Sequence, residues 1–172
     1  MILYLIRHAE AEDVGLGGVM RDFDRPLTTR GRTQARALAT AFATRQLAID
    51  ALAASPLVRA HQTGVEFLSV LAPGQRPTTC DHLALDQLKP NHLCDFLANL
   101  PPLGNRIPSR EEKAVAAVGH EPDLGTFAAW LLGAAPGSIH VAKAAAACIY
   151  FPDAPEKAAG ELMWLVTPEW VG

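Results

Sequence analysis

Residues 1–13 have the sequence MILYLIRHAEAED, and this segment gives the first indication of the fold. Residues 2–6 are apolar apart from Tyr4, whereas Arg7, His8 and three carboxylates follow directly. A short apolar run bounded by polar residues is typical of a strand buried in a parallel sheet. The sequence therefore predicts that Arg7 and His8 lie at the carboxyl end of a buried strand.

Two further segments, 49–55 (IDALAAS) and 114–120 (AVAAVGH), have the same character and are also predicted to be buried strands. Between the strands, apolar residues recur at helical spacing. This alternation favours an α/β fold with a largely parallel sheet. Helices are predicted at 28–47, 55–71, 90–100 and 121–133, two later strands at 139–151 and 161–166, and loops at 14–25 and 101–113.

Capping residues define the ends of some of these helices. Thr28, or the threonine after it, is the expected N-cap of the first helix. Ser55 is the expected N-cap of the second, with Pro56 at its first helical position. Gly133 is expected to close the last helix. Residues 142–148 (AKAAAAC) are equally compatible with a helix on propensity alone, because alanine is the strongest helix former.

The predicted strand ends carry basic and imidazole side chains. Arg7 and His8 follow the first strand, and His120 follows the third. Arg59 lies in the first turn of the helix after the second strand. Ligands of open α/β sheets bind outside the carboxyl ends of the strands. We therefore expect two arginines and two histidines to lie on one rim of the sheet.

Two converging guanidinium groups indicate an anionic ligand, because arginine binds phosphate or carboxylate through paired hydrogen bonds. The helix N-terminus beside Arg59 adds backbone donors and a favourable dipole. A histidine in this setting can attack phosphorus and become a phosphohistidine, or donate a hydrogen bond to phosphoryl oxygens. Attack requires an unprotonated ring nitrogen, and nearby arginines favour the neutral imidazole.

Four segments carry a resemblance to a known family: LYLIRHAEAED (3–13), RPLTTRGRTQA (25–35), SPLVRAHQT (55–63) and VGHEPDL (118–124). They resemble the histidine phosphatase superfamily, which includes the phosphoglycerate mutases. The short, uncapped form is most similar to the SixA-type phosphohistidine phosphatases. The resemblance implies a three-layer α/β/α fold, phosphoglycerate mutase-like, with a mostly parallel central sheet.

The resemblance also implies the roles of individual residues. His8 would be the phosphorylated nucleophile. Arg7, Arg59 and His120 would surround the transferred phosphoryl group and bind the substrate, together with Thr28. Neither a metal nor an organic cofactor is implied.

The sequence departs from the family pattern at three places. Ala9 stands where the family has a glycine after the histidine, a small change if the backbone has negative φ. Many relatives use a carboxylate from a later segment to protonate the leaving group. The corresponding segment here is LALDQLKP (83–90), in which Asp86 is the candidate proton donor. The chain also has no long insertion that would form a cap over the site.

We therefore interpret residues 1–172 as a single catalytic domain, a metal-independent phosphatase that works through a phospho-His8 intermediate. The preferred substrate is a phosphohistidine on a protein. One alternative is a phosphatase or mutase of small phosphorylated metabolites, and another is a phosphate- or phosphoprotein-binding module without turnover. A metal site formed by His8, Glu10 and Glu12 is disfavoured, because the two arginines would repel a cation.

Composition excludes several other classes of protein. Apolar residues make up 49% of the chain, charged residues 19%, and the formal net charge is −3, which disfavours a nucleic-acid partner. No apolar run approaches the roughly 18 residues that span a bilayer, and no basic region precedes the first apolar run, so neither a membrane partner nor a signal peptide is expected. Three widely spaced cysteines fit a cytoplasmic protein better than a disulfide framework: Cys80, Cys94 and Cys148.

Overall fold

A computed structural model describes residues 1–15, 17–104 and 112–170. A six-stranded sheet lies at its centre, with helices on both faces. The strands are β1 (Ile2–Arg7), β2 (Ala51–Ala54), β3 (Thr78–Thr79), β4 (Ala114–Gly119), β5 (Ala146–Tyr150) and β6 (Glu161–Val166). The helices are α1 (Thr29–Thr44), α2 (Val58–Leu71), α3 (Pro90–Ala98) and α4 (Asp123–Leu132), with short 3-10 turns at Asp22–Asp24, Asp81–Leu83 and Pro168–Trp170.

The strand order is β3-β2-β4-β1-β5-β6. The first four of these strands are mutually parallel, whereas β5 is antiparallel to both β1 and β6. The prediction of a mostly parallel central sheet is therefore confirmed. The parallel part brings the carboxyl ends of β1, β2 and β4 to the same edge.

Strand β1 shows how the three layers are built. Leu3 and Leu5 face the layer of α3 and α4, whereas Tyr4 and Ile6 face the layer of α1 and α2. All four side chains are at most 1% exposed. A strand covered on both faces needs apolar residues at successive positions, which explains why residues 2–6 do not alternate with polar ones. The predicted three-layer α/β/α fold is confirmed.

The start of α1 lies directly on the segment that follows β1. Thr28 is the N-cap, as predicted, and its Oγ1 accepts the Gly31 N–H at 2.9 Å. A Cβ atom at Gly31 would lie 1.9 Å from the main-chain oxygen of Glu10. Only glycine permits this close approach, so Gly31 fixes α1 against the rim of the sheet.

The start of α2 differs from the prediction. The helix begins at Val58 with Leu57 as N-cap, so Ser55 is not the cap and Pro56 precedes the helix. The main-chain N–H of Ser55 donates to the carbonyl of Val118 at 2.9 Å, which extends the pairing of β2 with β4 by one residue. Because Ser55 still pairs with β4, the helix begins after this residue, at Val58.

The helical alternative for residues 142–148 is wrong, because Ala146–Tyr150 form β5 between β1 and β6. Burial between two neighbouring strands overrides the helix propensity of alanine here. Gly133 closes α4 as predicted, with a φ of 65°. Of the predicted loop 101–113, residues 105–111 lie outside the described residues.

Among the described residues, no helix combines the length and the apolar character needed to cross a membrane.

Candidate active site

The site lies where β1, β4 and β2 end. In the register of the sheet, Arg7 pairs with Gly119, so that His8 and His120 leave neighbouring strands side by side. The His8 N–H donates to the Gly119 carbonyl at 3.0 Å, and the ring centroids of the two histidines are 5.0 Å apart. Arg59, in the first turn of α2, completes the group from the end of β2.

The ring of His8 is held in one orientation, with both nitrogens in hydrogen bonds. Its side chain is buried, and Nδ1 lies 2.7 Å from the main-chain oxygen of Ala9. Because a carbonyl can only accept, Nδ1 carries the proton, and Nε2 carries the lone pair, which accepts the Nε–H of Arg59. Burial lowers the pKa of His8 to about 4, against the effect of the Ala9 carbonyl, and the positive charges of Arg59, Arg7 and Lys143 lower it further. The ring is therefore neutral at physiological pH.

Arg59 is 3% exposed and forms contacts on two sides. Its Nε points at His8 Nε2, 3.3 Å away. Its Nη1 donates to the main-chain oxygen of Asp22 at 2.7 Å, and its Nη2 donates to the Asp22 carboxylate at 2.9 Å. Burial lowers the pKa of Arg59 and the Asp22 charge opposes this, so the guanidinium remains a fixed cation beside the ring of His8.

Arg7 is oriented by a segment from the other side of the rim. Its Nη1 donates to the Val141 carbonyl at 3.1 Å, and the Val141 N–H donates to the Glu121 carboxylate at 2.7 Å. Its Nε is buried and has no hydrogen-bond partner within the described parts of the chain. Burial lowers the pKa of Arg7, whereas the charge of Glu121 raises it. A donor without an acceptor is thus built into the site.

His120 is the most buried of the four residues, at 1% exposure. Its Nε2 lies 2.9 Å from the Ser55 hydroxyl, and its Nδ1 has no partner among the residues described. Burial lowers the pKa of His120 to about 3, and the nearby charges of His8 and Arg59 add to this effect. Like His8, this ring is neutral at physiological pH.

Ala9 fits the site without strain. It is fully buried, and its φ is not positive. Its N–H donates to the Thr63 hydroxyl at 3.0 Å, and that hydroxyl donates to the Arg59 carbonyl at 2.7 Å. Thr63 therefore ties the loop that carries His8 to the first turn of α2. The methyl group of Ala9 does not require the backbone freedom of a glycine.

Thr28 and Glu10 bind each other at the edge of the site. The Thr28 hydroxyl donates to a Glu10 carboxylate oxygen at 2.8 Å and accepts the N–H of Gly31. The other Glu10 oxygen lies 3.5 Å from Arg30. Both oxygens of Glu10 thus face protein donors. No group of three metal-ligating side chains occurs within the described ranges.

The candidate proton donor Asp86 is exposed and lies in a turn with a φ of 59°. Its main-chain N–H donates to a carboxylate oxygen of Asp123 at 2.9 Å, at the start of the helix after His120. Burial raises the pKa of Asp123, and the charges of Asp86 and Glu121 raise it further, although the N–H of Asp86 opposes this. Asp86 and Asp123 therefore lie close together at the start of α4.

Sequence patterns alone did not reveal three residues that support the site. Asp22 falls in a predicted loop, and no spacing rule links it to Arg59 in another element. Ser55 has the pattern of an N-cap but contacts His120. Glu121 has the pattern of an acid in the first turn of a helix, yet it binds the Val141 N–H. Each contact joins segments far apart in the chain, which local patterns do not encode.

Known proteins share this sequence pattern. Residues 3–84 match the family model of the histidine phosphatase superfamily (branch 1). An uncharacterised protein of Picosynechococcus sp. (strain ATCC 27264 / PCC 7002 / PR-6) is 35% identical over 128 residues, which are 74% of this chain and 71% of that protein. The chain belongs to the histidine phosphatase superfamily. Membership of this superfamily supports phosphatase activity.

Solved structures of SixA-type phosphatases share the fold of this chain. The protein histidine phosphatase SixA complexed with tungstate superposes with a TM-score of 0.79 at 22% identity, over 100% of both chains. A candidate phosphohistidine phosphatase SixA from Nakamurella multipartitia gives a TM-score of 0.74 at 24% identity, over 97% of this chain and 95% of the other. At these identities the likeness concerns the fold, which is that of the SixA-type histidine phosphatases.

Proposed function

We propose that this histidine phosphatase removes the phosphoryl group from a phosphohistidine on a protein, through a phospho-His8 intermediate and without a metal ion. The observation that carries the proposal is the buried, neutral His8, whose Nδ1 is bound by Ala9 and whose Nε2 faces Arg59. A neutral imidazole with one nitrogen fixed as donor presents the lone pair of the other to phosphorus.

In the first step the His8 Nε2 lone pair attacks phosphorus, and the bond between phosphorus and the substrate nitrogen breaks. Arg7 and Arg59 stabilise the charge on the equatorial oxygens, since both guanidinium groups lie at the rim beside His8. In the second step water attacks the phosphoryl group, the bond to Nε2 breaks, and inorganic phosphate leaves. His8 thereby returns to its neutral state.

The substrate preference rests on the carboxylates of the rim. Asp22 is bound to Arg59, and Asp86 is exposed with its main chain bound to Asp123. Among the described residues, no hydrogen bond or ion pair joins a carboxylate to the ring of His8. A phosphoester needs a proton on its departing alkoxide, whereas an imidazole protonated on its nitrogen leaves readily by itself. This arrangement favours a phosphoramidate over an alkyl phosphate.

Further aspects of the proposal concern partners and location. A phosphorylated protein is the proposed partner, with a small phosphorylated substrate as the alternative. The four catalytic candidates lie at one edge of a single sheet, three of them at strand ends and Arg59 in the first turn of α2, which supports a single catalytic domain. Three buried, free cysteines support a reducing compartment, the cytoplasm.

A rapid-quench experiment tests the proposal. The wild type, mixed with a phosphohistidine peptide and quenched in base, should carry one phosphate that is stable in base and labile in acid, and peptide mapping should place it on His8. His8→Ala should lose both this label and turnover while remaining folded. His92→Ala, at an exposed position of α3, is the matched control and should retain both.

A substrate panel separates the alternatives. Phosphohistidine, phosphoserine and phosphotyrosine peptides and a sugar phosphate should be compared by kcat/KM. Phosphohistidine should be hydrolysed most efficiently. Equal turnover of a sugar phosphate would favour the metabolite phosphatase. Binding of phosphopeptide without turnover or label would identify a binding module.

A further inference from the structure

The environment of Ser55 bears on the proton of His120. The Ser55 residue is fully buried, and its hydroxyl oxygen lies 2.9 Å from His120 Nε2. The same oxygen accepts the N–H of Leu57 at 3.2 Å. The other nitrogen of the ring, Nδ1, is buried without a partner among the described residues. These contacts allow two arrangements of the protons, which differ in the groups they leave unsatisfied.

In the first arrangement the Ser55 hydroxyl donates to His120 Nε2. The hydroxyl then accepts from Leu57 and donates to the histidine, so both its donor and its acceptor capacity are used. The ring proton is on Nδ1, which becomes a donor. In the second arrangement Nε2–H donates to Ser55. The buried hydroxyl proton then has no acceptor among these contacts, at a cost of about 1–3 kcal/mol for a buried unsatisfied group.

The second arrangement also conflicts with an anion at the rim. It leaves a bare lone pair on Nδ1, which would repel phosphoryl oxygens. The first arrangement instead gives the rim two buried donors that lack acceptors, Arg7 Nε and His120 Nδ1. Both lie beside His8, since the charge of Arg7 lowers the pKa of His8 and the two histidine rings are 5.0 Å apart. A phosphoryl group bound there supplies oxygen acceptors to both.

We propose that Ser55 is a positioning residue that donates its hydroxyl proton to His120 Nε2 and so holds the ring as the Nδ1–H tautomer, ready to donate to the phosphoryl group. The inference rests on the proposed function, because it assigns the acceptor of Nδ1 to the substrate. It also explains why a serine with the pattern of an N-cap lies one turn ahead of the helix. Its hydroxyl joins His120 to the N–H of Leu57, the N-cap residue of α2.

The tautomer can be measured directly. Two-dimensional ¹H–¹⁵N spectra of histidine rings distinguish a protonated from an unprotonated nitrogen. In the wild type at neutral pH, we expect His120 to be neutral with its proton on Nδ1. In Ser55→Ala, the ring should shift towards the Nε2–H form, which free imidazole side chains prefer. A wild-type spectrum with the proton on Nε2 would overturn the proposal, even if Ser55→Ala failed to fold.

Kinetics provide the second readout. Ser55→Ala should lower kcat by about 10- to 100-fold, less than the 10²–10³ expected for losing a direct donor at a transition state. KM should change little, because charge on the phosphoryl oxygens is greatest in the transition state. Ser55→Thr restores the hydroxyl and should recover the Nδ1–H tautomer and part of kcat. Ser69→Ala, which removes an exposed hydroxyl of α2, is the control and should leave both unchanged.

The two hypotheses fail in different ways. If the wild type hydrolysed no phosphate but His120 still carried its proton on Nδ1 in a Ser55-dependent manner, the inference would stand and the proposed function would not. If turnover passed through phospho-His8 while Ser55→Ala kept the tautomer and kcat, the positioning role would be wrong and the proposed function would stand.

Discussion

Asp22 binds Arg59 through its main chain and its side chain together, with the carbonyl oxygen 2.7 Å from Nη1 and the carboxylate 2.9 Å from Nη2. With Nε directed at His8, three of the five N–H groups of Arg59 already face acceptors. An anionic substrate must therefore use the remaining two, or share Arg59 with a carboxylate. Asp22 orients the guanidinium and at the same time repels a phosphoryl group.

Removal of the Asp22 charge should strengthen oxyanion binding. Asp22→Asn keeps an oxygen that can accept from Nη2 but loses the negative charge, so the Ki of tungstate should fall. The Asp22 partner is about half exposed, so solvent screening limits the effect to about 1 kcal/mol, roughly fivefold. The Ki should be measured at low and high salt, because screening reduces the difference. Asp24→Asn, whose carboxylate pairs with Arg21 in the same turn, is the control. A weaker binding of tungstate would mean that orientation by the charge outweighs repulsion.

The two arginines should each be essential for catalysis. Arg7→Ala and Arg59→Ala should lower kcat/KM by about 10²–10³, the usual effect of losing a preorganised charge donor. Lysine at either position should restore little, since Arg59 uses three nitrogens in a fixed geometry that a single ammonium cannot reproduce. Arg45→Lys at the end of α1 serves as the control. Near-normal kcat/KM in both alanine variants would place the phosphate pocket elsewhere.

The low pKa values of the two histidines predict how stability depends on pH. In the unfolded chain His8 and His120 have the ordinary histidine pKa of about 6.5. In the folded protein the pKa is about 4 for His8 and about 3 for His120. The unfolded state therefore binds more protons as the pH falls below about 6.5, and folding stability decreases. Above that pH the two neutral rings do not destabilise the folded state. Below it the loss of stability grows down to about pH 4 for His8 and about pH 3 for His120.

Thermal melting checks this pH dependence. The Tm of the wild type should fall between neutral pH and about pH 5 more steeply than that of His8→Asn or His120→Asn, which lack one buried imidazole. His92→Asn, at an exposed position, should follow the wild type. Parallel curves for all four proteins would show that the two rings do not resist protonation in the folded state.

Local sequence patterns predicted the strands of the sheet and the residues at its rim. They did not predict the contacts that orient the side chains of those residues. Apolar runs identify β1, β2 and β4, because strands covered on both faces need apolar residues at successive positions. The polar residues after such runs then fall at the same edge. Local patterns do not predict the roles of three other residues, because each contacts a partner distant in sequence: Asp22, Ser55 and Glu121.

Chelation should leave the activity intact. The carboxylate of Glu10, the central ligand of the metal alternative, is bound by Thr28 and lies near Arg30. Activity on a phosphohistidine peptide should therefore be equal with and without EDTA. Activity lost with EDTA and restored by a divalent cation would support the site of His8, Glu10 and Glu12.

The proton donor provides the last prediction. Asp86 and Asp123 lie close together at the start of α4, and both carboxyl groups are candidate sources of a proton for the leaving group. Burial raises the pKa of Asp123. A phosphohistidine leaves as an imidazole and has little need of this proton, whereas a phosphoester leaves as an alkoxide.

Asp86→Asn and Asp123→Asn should therefore change kcat/KM for phosphohistidine only slightly. Any turnover of an alkyl phosphate should fall more strongly, and most in the variant of the actual donor. Asp81→Asn, at an exposed 3-10 turn in the same region, is the matched control. Efficient alkyl phosphate turnover that survives both substitutions would require a proton donor outside this pair. It would also remove the reason for expecting phosphohistidine as the substrate.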